Sequence, residues 1–362
     1  MSTGPFSTTY AEARDKFLSA ARAAGASLVA HIHPETGPDG GELATDCAWI
    51  GPEAARSVLL LVSGTHGIEG FCGSGAQIDW LNRGEAAQLG PDRAALLVHA
   101  LNPYGFAWAR RVTHENVDLN RNFVDFAAPR PANPDYDLLA EAVKPADWTE
   151  ESQAAARHAL AAFAQGRGFR AMAQAVSGGQ YTHPDGLFYG GAAPTWSRRT
   201  LEAIFHERLS RAGEIGIIDY HTGLGPEGYA EPIIAAAPGS PEHARALRWH
   251  GRAARSHVSG ESVSAQIAGD WLGVAPRLAP RARVTGIALE YGTVAANQVL
   301  EAVMADNWLH AHGDPSDPLG RRIKAQVRDA FYIDSDLWRG MVLGQSLSAV
   351  RQALGGLGTT ED

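Results

Sequence analysis

Apolar residues in this chain gather in short, dense runs broken by polar, glycine-rich loops. Residues 57–62, SVLLLV, are too few for a buried helix and read as a strand covered on both faces. That run ends at the loop SGTHGIEG, residues 73–82 then carry a helical pattern, and residues 95–101, ALLVHAL, supply the next strand. Strand, loop, helix, strand is the rhythm of a βαβ unit. Upstream, an amphipathic helix over about residues 10–24 precedes SLVAHIHP and DCAWIG, two short strands joined by the turn-rich ETGPDGGE, which predicts an antiparallel sheet edge. Downstream, residues 216–221 (GIIDYH), 232–237 (PIIAAA) and 285–292 (TGIALEYG) add strands to the same sheet.

Two stretches break this rhythm. Residues 124–197 form an alanine-rich, mostly helical insertion, interrupted by GQYTHPDG around His183, and are placed as a lid or rim. Residues 315–355 alternate helical and strand-like pieces before the glycine-rich tail GGLGTTED, which is expected to fray. The pattern therefore predicts one α/β domain with a central mixed, mostly parallel twisted sheet flanked by helices. Its core covers about residues 25–310, with the helical insertion at 124–197 and a C-terminal extension at 311–362. No internal repeat is seen.

Composition agrees with a globular chain and narrows its partners. At 362 residues and 45% hydrophobic, the chain can bury a sizeable core. A formal net charge of -9 argues against a nucleic-acid surface, because phosphate binding relies on clustered Lys and Arg. A small molecule or short peptide is the simpler partner, and no oligomeric state follows from the sequence. Two cysteines, Cys47 and Cys72, make no disulfide framework and are expected to be reduced. The opening MSTGPFSTTYAEARDKFLSAARAAG lacks the apolar stretch of a secretory signal or membrane span, so a cytoplasmic protein without membrane association is expected.

The polar residues that matter cluster where the apolar runs end, and open α/β sheets bind ligands beyond the carboxyl ends of their strands. His66 and Glu69 lie three apart in a glycine-bracketed loop straight after SVLLLV, which is metal-ligand spacing. A His-x-x-Glu pair is common by chance and needs support. His221 gives it, emerging from GIIDY at another strand's carboxyl end. A His, Glu, His set leaves zinc one open position, as a catalytic ion requires, so one Zn2+ is expected. Asp219, two residues before His221 on the same side of the strand, can orient a ligand imidazole or can simply be a strand-end carboxylate.

Residues 102–123 hold adjacent arginines and the sequence Asp118-Leu119-Asn120-Arg121-Asn122. Arg121 with Asn120 can grip a carboxylate by charge-assisted hydrogen bonds, while Arg110 or Arg111 can polarise a carbonyl; of the two arginines, one is expected to face inward. Glu290, in LEYGT at the end of an apolar strand, has a dry wall behind it that would raise its pKa toward the range of a general base. Among weaker signals, residues 223–228 (GLGPEG) match a dinucleotide fingerprint by letters, but Pro226 and the following strand oppose the helix it needs. Ser74 reads as a helix cap, Cys72 as a small buried hydrophobe, and His99, His114 and His183 as structural or surface residues. Trp108, Trp196 and Trp271 read as core or pocket wall.

Taken together, HGIEG, DLNRN, DYHTG and LEYGT, in that order across about residues 57–293, resemble the M14 family of zinc carboxypeptidases, and more narrowly its DUF2817-type bacterial members. The resemblance implies that Glu290 moves a proton from water to the leaving amine, that zinc and an arginine stabilise the oxyanion, and that the bond cut is an amide next to a free carboxylate. Many members carry a tyrosine on a loop upstream of the catalytic Glu, whereas this chain has none between Tyr229 and Tyr291. Tyr181 or Tyr189 in the insertion are the available substitutes. Three activities are therefore open: a carboxypeptidase, an N-acyl amino acid deacylase of the aspartoacylase or succinylglutamate desuccinylase kind, or a non-catalytic metal- or carboxylate-binding module.

Overall fold

A computed structural model describes residues 4–359. Eight strands join one sheet: β1 (Ser27–Thr36), β2 (Glu42–Ile50), β3 (Ser57–Val62), β4 (Arg93–His99), β5 (Glu214–Glu227), β6 (Ala230–Ile234), β7 (Arg255–Ser256) and β8 (Arg283–Gly292). Their order is β1-β2-β4-β3-β5-β8-β6-β7, with β4, β3, β5 and β8 mutually parallel at the centre. Antiparallel pairs flank that centre, β1 with β2 and β2 with β4 on one side and β6 with β8 on the other. The mixed sheet, its parallel core and the antiparallel hairpin edge agree with the hydrophobic pattern.

Side-chain alternation in the central strands divides the core into two layers. Leu59, Leu61, Leu97 and Ile218 pack on one face, against the helices Tyr10–Ala23, Gly70–Asn82 and Asp336–Gly356. Val58, Leu60, Val62, Leu96 and Ile217 pack on the other, against Trp196–Ile204 and Trp271–Leu278. Because both faces are covered, the central strands read as unbroken apolar runs rather than alternating ones.

Several details differ from the sequence reading. Residues 315–355 contain no strand: Pro318–Phe331 and Asp336–Gly356 are both helical. Their buried residues, Ile323, Val327 and Phe331, then Trp338, Val342, Ala349 and Ala353, recur at helical spacing, and this tertiary face outweighs the local strand-like runs. The tail falls partly outside the described residues, but Leu357 is buried. PIIAAA contributes its first half to β6 and stops at Ile234. Ser74 is no cap. It sits inside Gly70–Asn82 and its Oγ lies 2.8 Å from His99 Nε2. Residues 223–227 continue β5 and open no helix. No helix among the described residues is long and apolar enough to cross a membrane.

His99 gives the core a pH dependence. It is fully buried, its ring stacks on Phe17 at 4.5 Å, and burial drives its imidazole down to about 3 from an ordinary 6.5. A folded-state value below the unfolded one means that the neutral ring's contribution is complete above pH 6.5 and is lost as pH falls from 6.5 toward 3. Its loss amounts to about 1.4 kcal/mol per pH unit. The variant His99→Gln is expected to show a shallower fall in unfolding free energy between pH 6.5 and 5, by roughly 2 kcal/mol over that span, measured by urea denaturation. An unchanged slope would contradict the buried neutral imidazole.

Candidate metal centre

β3 delivers His66 and Glu69, β5 delivers His221, and β8 delivers Glu290, three neighbouring parallel strands whose carboxyl ends meet. The ligand loop after β3 lies flat on the short helix Pro103–Ala107: Gly67 N–H and Ile68 N–H donate to the carbonyls of Arg111 and Arg110 at 3.1 and 2.8 Å. A Cβ at Gly67 would fall 2.0 Å from the Gly105 carbonyl carbon, so no other residue allows this approach.

His66, Glu69 and His221 converge. Their ligand atoms all lie within 4.8 Å of one another. His66 Nδ1 is 2.9 Å from Glu69 Oε1, His221 Nδ1 is 2.8 Å from Glu69 Oε2, and the two Nδ1 atoms are 3.2 Å apart. Each ring's far nitrogen meets a carboxylate: His221 Nε2 lies 2.7 Å from Asp219 Oδ2, and His66 Nε2 lies 3.2 Å from Asp118 Oδ1. A carboxylate behind an imidazole orients it, as in metal sites; at His66 the Arg111 Nη2 also lies 2.9 Å from Nε2. Asp219 is held in turn by the Thr65 hydroxyl and Trp271 Nε1, both at 2.7 Å. The donor set fits a divalent ion on charge as well. Glu69, Asp118, Asp219 and Glu290 bring four buried carboxyl groups against the guanidiniums of Arg111 and Arg121.

Partners decide how each buried acid titrates. Burial opposes ionisation of Glu69, but His66 and His221 outweigh it and hold the carboxyl below the usual range. Asp118 is likewise depressed, with Arg111 and Arg121 overcoming burial. Burial opposes a charged His221 ring, but Asp219 and Glu69 outweigh it and raise the imidazole well above its ordinary value, the pull that a bound cation would take over. Glu290 goes the other way: burial and the neighbouring Glu69 push it up to about 8. It pairs in register with His221 across β5 and β8, hence faces the same side of the sheet, and accepts from Leu224 N–H at 3.1 Å.

The adjacent arginines separate. Arg111 faces the centre, donating to Asp118 Oδ2 at 3.0 Å and Glu69 Oε1 at 3.1 Å. Arg110 turns away into a buried ion pair with Asp306 at 3.0 Å and a hydrogen bond to Asn116, so its catalytic candidacy is withdrawn. Asn120 and Arg121 both line the cavity in front of the centre, and the guanidiniums of Arg111 and Arg121 both lie over the Phe188 ring, 5.3 and 5.6 Å from its centroid. Tyr181 does not substitute for a loop tyrosine: its hydroxyl donates to the Arg121 carbonyl. No tyrosine lines the cavity among the described residues. Cys72 is fully buried, as expected.

Sequence reasoning gave no site role to Asp118 or His257, and it read Trp271 as core or pocket wall, which its burial bears out, without foreseeing its bond to Asp219. Asp118 carries a local signal, since its side chain caps the next turn by accepting from Asn120 N–H at 2.9 Å. Trp271 reaches Asp219 from 52 residues away, and His257 lines the cavity from the loop after β7; neither leaves a mark in sequence spacing.

Fold and centre together define an α/β protein with a carboxylate-backed His-Glu-His group at the carboxyl ends of its parallel strands. The chain belongs to the family described as "Protein of unknown function (DUF2817)", whose model matches residues 6–345. Among solved structures it is similar to the carboxypeptidase A from Helicoverpa armigera, at 12% identity over 89% of this chain and 74% of that one, with a TM-score of 0.47. It is similar also to a putative carboxypeptidase A from Shewanella denitrificans, at 12% identity over 98% and 71% of the two chains, TM-score 0.45. A succinylglutamate desuccinylase from a Silicibacter species matches at 13% identity over 79% and 66%, TM-score 0.40. No curated protein matches.

If the two carboxylates orient the imidazoles, Asp118→Asn and Asp219→Asn should each weaken metal binding roughly 10- to 100-fold, read by competition with a chromogenic chelator. Glu69→Gln should weaken it further. Affinities unchanged in both aspartate variants would remove the carboxylates from the metal centre.

Proposed function

We propose that this protein is a zinc-dependent hydrolase that cuts a peptide or amide bond beside a free carboxylate in a small molecule or short peptide. The observation that carries the reading is the β5–β8 register, which sets the Glu290 carboxyl group next to the His66, Glu69 and His221 donors on one face of the sheet. Zinc held by those three residues would supply Lewis acidity, polarising the scissile carbonyl and making nearby water acidic.

The chain's own residues then divide the work. Glu290, elevated to about 8, takes the proton of the attacking water and returns it to the leaving nitrogen. Arg111 donates to the oxygen that gains charge as the carbonyl becomes tetrahedral. Asn120 and Arg121, which line the same cavity, hold the substrate's carboxylate by charge-assisted hydrogen bonds. Apolar walls around them exclude water and strengthen each of these contacts.

One observation favours a second reading, an N-acyl amino acid deacylase: the cavity has no tyrosine among its described lining residues to act as the loop residue of a carboxypeptidase. A hydrolysis screen pairing dipeptides with N-acyl amino acids separates the two.

Purified protein should carry one zinc per chain and lose turnover with a chelator. Glu290→Gln should lower kcat by roughly 10²–10⁴-fold with zinc content unchanged. A preparation free of metal, whose activity ignores both chelator and added zinc, would overturn the hydrolase mechanism. A zinc-loaded wild type inert toward the whole screen would leave a metal- or carboxylate-binding module instead.

A further inference from the structure

Three helices contribute apolar faces to the wall of the cavity. Phe169–Ser177 presents Phe169, Met172, Ala173 and Val176, the i, i+3, i+4, i+7 row of an amphipathic helix. On Ala296–His312 the row is Ala296, Val299, Leu300, Val303 and Met304. Glu150–Arg167 adds Ala156 and Leu160. Ala156, Leu160, Val176, Val299, Val303 and Met304 belong to the core, and the same faces bound a cavity of about 400 Å³ that is lined also by His66, His221 and Glu290.

The first of these walls has a direction. Its C-terminal end is tied to the carboxylate-gripping arginine, since Arg121 Nη2 donates to the Ser177 carbonyl at 2.5 Å. Its N-terminal end, Phe169, is 66% exposed. Seven residues at helical rise carry the apolar row about 10 Å outward from Arg121 to that mouth. Arg157 and Glu301, 3.9 Å apart and both partly exposed, pair the second and third helices at the rim. Charge is thus confined to the reacting end and the rim, with an apolar channel between.

A polar peptide laid along these walls would leave amides unpaired against hydrocarbon, at a cost of roughly 1–3 kcal/mol each. A dianion would meet Asp270 and Glu290, which share the lining with Arg121. We propose that the substrate is an amphiphilic monocarboxylate amide, whose long apolar group lies along Phe169–Ser177 against Ala296–His312 while Arg121 holds the carboxylate. This inference rests on the hydrolase reading for the amide, and the channel itself can be tested without hydrolysis. The apolar group has two possible sources, a medium- or long-chain acyl group or a large apolar side chain.

Straight-chain monocarboxylates, from butyrate to dodecanoate, are titrated calorimetrically into the zinc-loaded protein. Kd should fall about fourfold per added methylene until the chain reaches the mouth. Met172→Asp or, on the facing wall, Leu300→Asp should flatten that dependence to less than about twofold, whereas Arg121→Gln should weaken every chain length alike. Two wall variants on separate helices guard against a single misfolded one. Kd values indifferent to chain length, or an undiminished slope in both folded wall variants, overturn the proposal. Hydrolysis is then scored separately on N-octanoylglycine and N-acetylphenylalanine, which distinguish acyl chain from side chain. Chain-length-dependent binding without turnover of either keeps the channel and defeats the hydrolase reading.

Discussion

Buried negative charge at the carboxyl ends of β3, β5 and β8 is the constraint that the surrounding structure answers. Glu69, Asp118, Asp219 and Glu290 all lie within the protein, and a desolvated carboxylate is tolerated only with partners. Three of them have several. Glu69 meets both imidazoles, Arg111 and Thr222 N–H; Asp118 meets His66, Arg111 and Asn120 N–H; Asp219 meets His221, Thr65 and Trp271. Glu290 accepts the single N–H of Leu224 and has Glu69 for a neighbour. Similar burial therefore yields opposite outcomes, with Glu69 and Asp118 held below the usual carboxylate range and Glu290 pushed above it, the division that the proposed roles of ligand and proton carrier would need.

That arrangement needs rigid support, and the two adjacent arginines show how it is provided. Arg110 is committed to Asp306, which Lys324 also pairs at 2.5 Å, so the turn before the centre is bolted to the helices Ala296–His312 and Pro318–Phe331. The carbonyls of Arg110 and Arg111 receive the N–H groups of the ligand loop. Arg111 is then the neighbour aimed at the centre, where it meets Asp118 and Glu69, by a backbone that its partner residue fixes. On the opposite side, Gly269 and Trp271 clasp the segment that carries Asn120 and Arg121. Phe123 N–H donates to the Gly269 carbonyl, and a Cβ at Gly269, already at φ +87°, would sit 2.7 Å from the Arg121 carbonyl oxygen.

These features explain what the sequence disclosed and what it hid. The central strands were legible because burial on both faces writes itself as an unbroken apolar run, and the donors were legible because each follows such a run by a few residues: His66 and Glu69 after SVLLLV, His221 after GIIDY, Glu290 within TGIALEYG. The choice between Arg110 and Arg111 was hidden because it depends on a partner, Asp306, 196 residues away. The bond from Trp271 to Asp219 and the place of His257 in the cavity wall were hidden for the same reason. The C-terminal region misled because its short apolar pieces look strand-like locally, while the face that buries Trp338, Val342 and Ala349 exists only once the helix has a sheet to pack on.

The insertion joins the electrostatic and apolar halves of the molecule. It was legible as a helical rim, but not as the source of a cavity wall, because an amphipathic row does not reveal what it faces. By setting Met172 and Val176 beside Arg121, it lowers the dielectric around the charges of the centre. The same walls that would accept the apolar group of the proposed substrate desolvate Glu290 and strengthen the reach of Arg111 and Arg121. Binding an apolar group would remove the remaining water from the channel, so substrate recognition and the electrostatic strength of the reacting end are coupled through one surface.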